Sequence, residues 1–140
     1  MGKHVPKKAT NRAEKKVVRI QENVPVNKPS WRFSTVDLSG PFAWPKGSNT
    51  EMEILEKLHQ FDSMRWSEIE GSDHHAISIG SLSKEATKRL SEISLDDVDE
   101  VFSFHFSGRP RIIGIRELGV VKLLWWDPNH QVCPSTKKGT

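Results

Sequence analysis

The sequence holds no tyrosine and a single cysteine, Cys133, in 140 residues. One cysteine excludes an internal disulfide and any cysteine-based zinc site. A lone thiol also fits a reducing compartment, so a cytoplasmic protein is expected. No apolar run reaches the roughly 18 residues that a membrane-crossing helix needs. The charged N-terminus is followed by no apolar stretch of the secretory kind, so no membrane contact is expected. The chain has no Walker loop, GxGxxG, GxSxG or HExxH, and its six histidines show no metal-ligand spacing. No cofactor and no metal are therefore expected. No internal repeat is visible.

What is there is unevenly charged. The net charge is +3, with a pI near 9.1. Residues 1–30 hold eight Lys/Arg and two Glu, a local charge of +6. The remaining thirteen Lys/Arg and sixteen Asp/Glu leave residues 31–140 at −3. The first 29 residues have no aromatic side chain, and too little apolar surface to offset the entropy of ordering them. They read as a flexible basic arm, either a solubilising tail or a contact for phosphate or a partner. Residues 30–134 read as one α+β domain, and 135–140 as a disordered tail.

Within the domain, Trp31 to Leu38 alternates loosely and suggests an extended segment. Gly40-Pro41 and Trp44-Pro45-Lys46-Gly47 are loop punctuation. Ser48 and Glu51, and also Thr50 and Glu53, have capping-box spacing ahead of an apolar stripe at Ile54, Leu55, Leu58 and Phe61. Met64 to Ile69 suggests a short helical turn ended by Gly71, and Ala76 to Ile79 a short strand. Ser83 can cap a helix with Leu82, Ala86, Leu90 and Ile93 on one side. Three strands follow, over 101–106, 111–117 and 120–127, joined by short turns that imply an antiparallel meander. The expected class is α+β, with N-terminal helices packed on one face of a C-terminal antiparallel β-meander.

Basic residues gather in that meander: Arg109, Arg111, Arg116 and Lys122. A guanidinium fork suits phosphate oxygens, so these are candidates for nucleic-acid binding. The plain alternative pairs them with the acidic cluster Asp96 to Glu100. In a regular strand Arg111 and Arg116 face opposite sides, unless Gly114 marks a bulge or a close backbone approach. Asp127 and His130 flank an Asp-Pro-Asn turn, where a carboxylate can orient an imidazole for acid–base work near neutral pH. Asp before Pro is also an ordinary turn starter. His74 and His75 point to opposite sides if extended, and His105 lies on the strand face opposite Phe102, Phe104 and Phe106.

The run Arg109-Pro-Arg111-Ile-Ile-Gly-Ile-Arg116, followed by Val120-Val-Lys122-Leu-Leu-Trp-Trp-Asp127 and then His130, resembles the strand-borne arginines and C-terminal histidine of the RelE/ParE superfamily of bacterial toxins. In the RelE branch the resemblance implies ribosome-dependent mRNA cleavage. Arg116, His130 and Asp127 would be catalytic there, with Arg109, Arg111 and Lys122 on phosphate. It implies RNA or the ribosome as target and an antitoxin-like protein as partner. In the ParE branch it implies action on gyrase without nuclease chemistry. The charge split supports another reading, a non-catalytic module whose basic arm binds nucleic acid or an acidic protein.

Overall fold

The computed structural model describes residues 27–134. All but the last three residues of the expected basic arm, and the whole of the expected C-terminal tail, lie outside them. Residues 27–29 belong to the body: the Asn27 carbonyl accepts the Trp66 backbone N–H at 2.7 Å, and Pro29 is buried.

The described chain runs β1 (Ser30–Arg32), α1 (Asn49–Asp62), α2 (Trp66–Ile69), β2 (His75–Ser78), α3 (Lys84–Glu92), β3 (Glu100–His105), β4 (Arg111–Glu117) and β5 (Val120–Asp127). The expected mixed α+β class is what is found. One five-stranded sheet is ordered β1-β5-β4-β3-β2. β2 to β5 form an antiparallel meander, one strand longer than the sequence suggests, and β1 adds to β5 in parallel.

Local sequence accounts for the helices. The Ser48 hydroxyl accepts the Glu51 N–H at 3.2 Å and starts α1. Only half of the expected capping box forms, because the Glu51 carboxylate binds the Gly47 N–H and Trp44 Nε1 instead, both at 2.7 Å. Ser83 starts α3 by accepting the Ala86 N–H.

The helices do not all lie on one face, as the sequence reading expects. Ile54, Leu58 and Phe61 of α1, with Trp66 and Ile69 of α2, pack on Phe102, Phe104, Ile112, Val121 and Leu123. Ala86 and Leu90 of α3, with Phe42 and Val132, pack on Val101, Ile113, Ile115, Leu124 and Trp125. The sheet is thus buried on both sides, which explains why the middle of β4, Ile112 to Ile115, and most of β5 carry no polar face. Each buried Phe, Leu or Ile contributes about 1.5–3 kcal/mol.

A β-bulge decides the details. Ile113 pairs with Trp125 but Gly114 pairs with Leu123, so Leu124 is the extra residue. A Cβ at Gly114 would sit 2.7 Å from Val121 Cγ1 and 3.0 Å from the Lys122 carbonyl, so no larger residue fits without movement. The carbonyls freed at the bulge are taken by the segment after β1: Thr35 Oγ1 donates to Leu123 O at 3.1 Å and Asp37 N to Leu124 O at 2.9 Å. Those contacts bend residues 33–38 away from the ladder, so β1 is shorter than the extended segment expected. Asp37 then accepts hydrogen bonds from Arg89 Nε and Nη2 and from Trp125 Nε1, all at 2.8 Å. Burial pushes this carboxyl up, but the bonds from Arg89 and Trp125 outweigh it and hold the group below its ordinary value. The latch ties α3 to the sheet.

Candidate functional site

Three strand ends meet in one register row. His105 ends β3, Arg111 opens β4 and Asp127 ends β5, and they are paired as neighbours across the sheet. Alternation puts their side chains on the α3 side, the side of Val101, Ile113 and Trp125. His75 joins them because β2 pairs His75 with Ser103, two residues before His105. This row opens into a groove of about 280 Å³, whose walls include Asp73, His75, Ser103, His105, Arg111, His130 and Cys133.

The chain after β5 brings His130 there. Asp127 is buried, and its two carboxylate oxygens accept the backbone N–H groups of Gln131 and Val132, each at 2.8 Å. Val132 inserts into the α3-side core and its carbonyl accepts the Ser83 N–H. The tail is thereby folded back over the sheet end. The tight turn between forces His130 to φ +56, a left-handed backbone that a branched or bulky residue adopts at a cost. Asp127 therefore shapes the turn through the backbone. The expectation that it holds the His130 ring is not met, since its hydrogen-bond partners among the described residues are those two amides.

Arg111 is the cation of this groove. Its Nη1 donates to the carbonyls of Gly108, Arg109 and Pro110 at 2.7, 2.9 and 3.0 Å. These bonds fix the guanidinium over the turn. Although Asp127 is its register partner, each oxygen of that carboxylate is turned to a backbone amide, and Arg111 has no ion-pair partner among the described residues. Burial lowers the pKa of His130, the charge of Arg111 lowers it further, and Asp127 offsets part of this. His130 is therefore biased toward its neutral form, the form that accepts a proton. Burial raises the pKa of the Cys133 thiol, and Asp127 adds to the shift, so it is held as the thiol.

The other expected site residues separate from this group. Arg116 points to the opposite face, as alternation requires, and the bulge does not reunite it with Arg111 because the extra residue is on β5. Its guanidinium lies 3.7 Å from the Trp66 ring centroid and pairs with Glu70 at 3.1 Å. Lys122 pairs with Glu117 at 3.0 Å near the far end of β5. Arg109 is exposed in the turn beside Arg111, and its charge reaches His130. The acidic cluster Asp96 to Glu100 supplies no ion pair to any of these arginines among the described residues.

His75 and His105 are the members that sequence reasoning left aside. Their signal was the period of two: once His75 faces Ser103, both imidazoles share one side. Trp125 and Trp126 face opposite sides of the sheet, each toward a packed core. Trp125 is fully buried, and Trp126 packs against Phe106 at 5.2 Å between ring centroids.

Among the described residues no three His, Cys, Asp or Glu side chains are grouped so as to hold a metal ion, and no helix is long and apolar enough to cross a membrane. What the groove brings together is the Arg111 guanidinium, which has no ion-pair partner among the described residues, three imidazoles, the hydroxyls of Ser72 and Ser103, the Cys133 thiol and, on its wall, the Asp73 carboxylate; the guanidinium can bind an oxyanion and the imidazoles can move protons beside it. No protein-family model, no curated protein and no solved structure matches the chain.

Proposed function

We propose that the protein cleaves RNA, in the manner of a RelE-like toxin or a protein derived from one, with its chemistry in the groove at the ends of β3, β4 and β5. The observation that carries this reading is the unpaired Arg111 guanidinium sharing one groove with His105 and His130. Arg111, helped by Arg109, takes the non-bridging phosphate oxygens. His130, biased toward the neutral form, accepts the proton of the attacking 2′-hydroxyl, and His105 gives one to the departing 5′-oxygen. The 2′-oxygen–phosphorus bond forms as the phosphorus–5′-oxygen bond breaks, leaving a cyclic phosphate and a 5′-hydroxyl. Arg116 and Lys122, each paired with a glutamate, serve the fold in this reading. The target is mRNA on the ribosome in the cytoplasm, and an antitoxin-like protein would hold the activity in check.

The test is to express the full chain and map mRNA 5′ ends against the variants His130→Ala and Arg111→Ala. New cleavage ends are expected with the wild type alone. Identical maps and identical growth for all three reject the nuclease.

The +6/−3 charge split favours a second reading, in which the basic arm makes the contact with nucleic acid or an acidic protein. Asn27 and Pro29 belong to the body, so the informative deletion stops at residue 26. Under this reading the deletion abolishes binding and flattens its salt dependence. Affinity unchanged by the deletion rejects it.

A further inference from the structure

The segment that leads into β2 contains a histidine that the proposed chemistry leaves unused. His74 is half-buried, and its ring lies edge-on to Phe61 with centroids 4.8 Å apart and beside Phe104 at 6.2 Å. Its Nδ1 accepts the backbone N–H of His105 at 3.0 Å. The β2–β3 register pairs His75 with Ser103, so the ladder would next offer a main-chain carbonyl to the end of β3. That carbonyl would be Asp73's, but the strand begins only at His75, and the segment before it folds back on itself, the His74 carbonyl accepting the Gly71 N–H at 2.9 Å. An imidazole nitrogen takes the place of the missing carbonyl.

We propose that His74 is a positioning residue for His105: its neutral imidazole closes the β2–β3 ladder and so fixes the backbone from which His105 enters the groove. The proposal rests on the cleavage reading for its consequence, while the contact itself can be measured without any substrate.

The contact has a definite protonation requirement. An acceptor Nδ1 leaves the ring proton on Nε2, and a doubly protonated ring has no acceptor at all. The groups facing His74 are Lys57 from α1, Asp73 beside it, His105 from β3 and Arg111 from β4. Burial lowers the pKa of His74 most, Asp73 opposes that, and His105, Lys57 and Arg111 lower it further. The neutral, accepting form thus holds at neutral pH. It persists as the pH passes the ordinary histidine value, about 6.5, and is lost only as the pH falls through the lowered one.

The experiment compares the full-length wild type with His74→Phe and His74→Asn. Phenylalanine keeps an aromatic ring against Phe61 but cannot accept, whereas the asparagine oxygen can stand in for Nδ1 without titrating. In nitrogen-15 NMR spectra the His105 amide of the wild type should follow the His74 ring through its titration. In His74→Phe that step should vanish. For RNA cleavage, His74→Phe should lower kcat about tenfold with KM unchanged, a loss of the size expected from a misplaced catalytic group. His74→Asn should restore kcat to within about threefold and remove the part of the acid limb that belongs to His74.

A wild-type His105 amide that ignores the His74 titration overturns the proposal. So does a folded His74→Phe with unchanged kcat and pH profile. Should His74→Phe fail to fold, His74→Asn decides, since an acid limb identical to the wild type would then overturn it. If the wild type cleaves no RNA, the nuclease reading falls and the amide titration alone judges the positioning contact.

Discussion

Arg111 and Arg116 stand on one strand, five positions apart, and have opposite surroundings. Arg116 is fully engaged with its own fold. Its guanidinium lies over the Trp66 ring, pairs with Glu70 and donates Nε to the Leu118 carbonyl at 2.8 Å. Arg111 is bonded to three carbonyls through one nitrogen and meets no carboxylate among the described residues. The difference arises from one neighbour. Asp127, the residue best placed to neutralise Arg111, gives both oxygens to the backbone of the following turn. A fold that wanted only stability would let the pair form. Here the acid builds the turn, the turn delivers His130, and the guanidinium keeps its capacity for an external anion.

The sharpest way to test that contrast is at His130, where function and stability are set against each other. His130→Gly removes the imidazole and also relieves a left-handed backbone. Cleavage should fall about 10²- to 10⁴-fold, the span usual for a lost general acid or base. The folded state should gain up to about 1 kcal/mol, read as a higher denaturation midpoint. Loss of both together would mean that the ring packs and does no chemistry. Next in size is the pH response of Arg111→Gln. Its positive charge depresses the pKa of His130. Without it that pKa rises, so the acid limb of any remaining activity should move to higher pH. The His130 ring titration followed by NMR should move the same way, and an unmoved titration would separate the two groups.

Much of this arrangement was legible in the sequence. Alternation alone placed Arg111 and Arg116 on opposite faces and Phe102, Phe104 and Phe106 on one. Ser48 and Ser83 named the starts of α1 and α3. The limits have physical causes. Short helices of similar apolar stripe do not encode which sheet face they cover, so the expectation of one covered face misses that α3 packs in a different core from α1 and α2. β1 is a three-residue strand paired in parallel with a segment some 90 positions later, and no local pattern marks such a contact. The groove depends on register: His75, His105 and Arg111 are scattered in the chain and become neighbours only when three strands are paired. The proximity of Asp127 to His130 was legible. The destination of its carboxylate was not, because backbone amides compete with the imidazole on equal terms.

The paired arginine supplies the smaller effects. Arg116→Ala should cost about 1–2 kcal/mol, from the lost contact with Trp66 and the stem packed beside it, and should leave cleavage per folded molecule unchanged.

Lys122→Ala closes the series. Its partner Glu117 is about 60% exposed, and an ion pair in such a setting is worth between roughly 0 and 1 kcal/mol. Lys122 and Arg32 are register partners in the parallel β1–β5 pair, so two cations lie side by side there, and Glu117 pairs with Lys122. Removing Lys122 relieves that repulsion while it breaks the pair, which brings the net change close to zero. Stability should therefore move by less than about 0.5 kcal/mol, and less still at high salt, where both terms are screened. Cleavage should be unaffected, because Lys122 sits toward the opposite end of β5 from Asp127. A large loss of activity in Lys122→Ala would extend the RNA path along the whole length of β5, and the distinction between paired and unpaired cations would then fail as a guide to function.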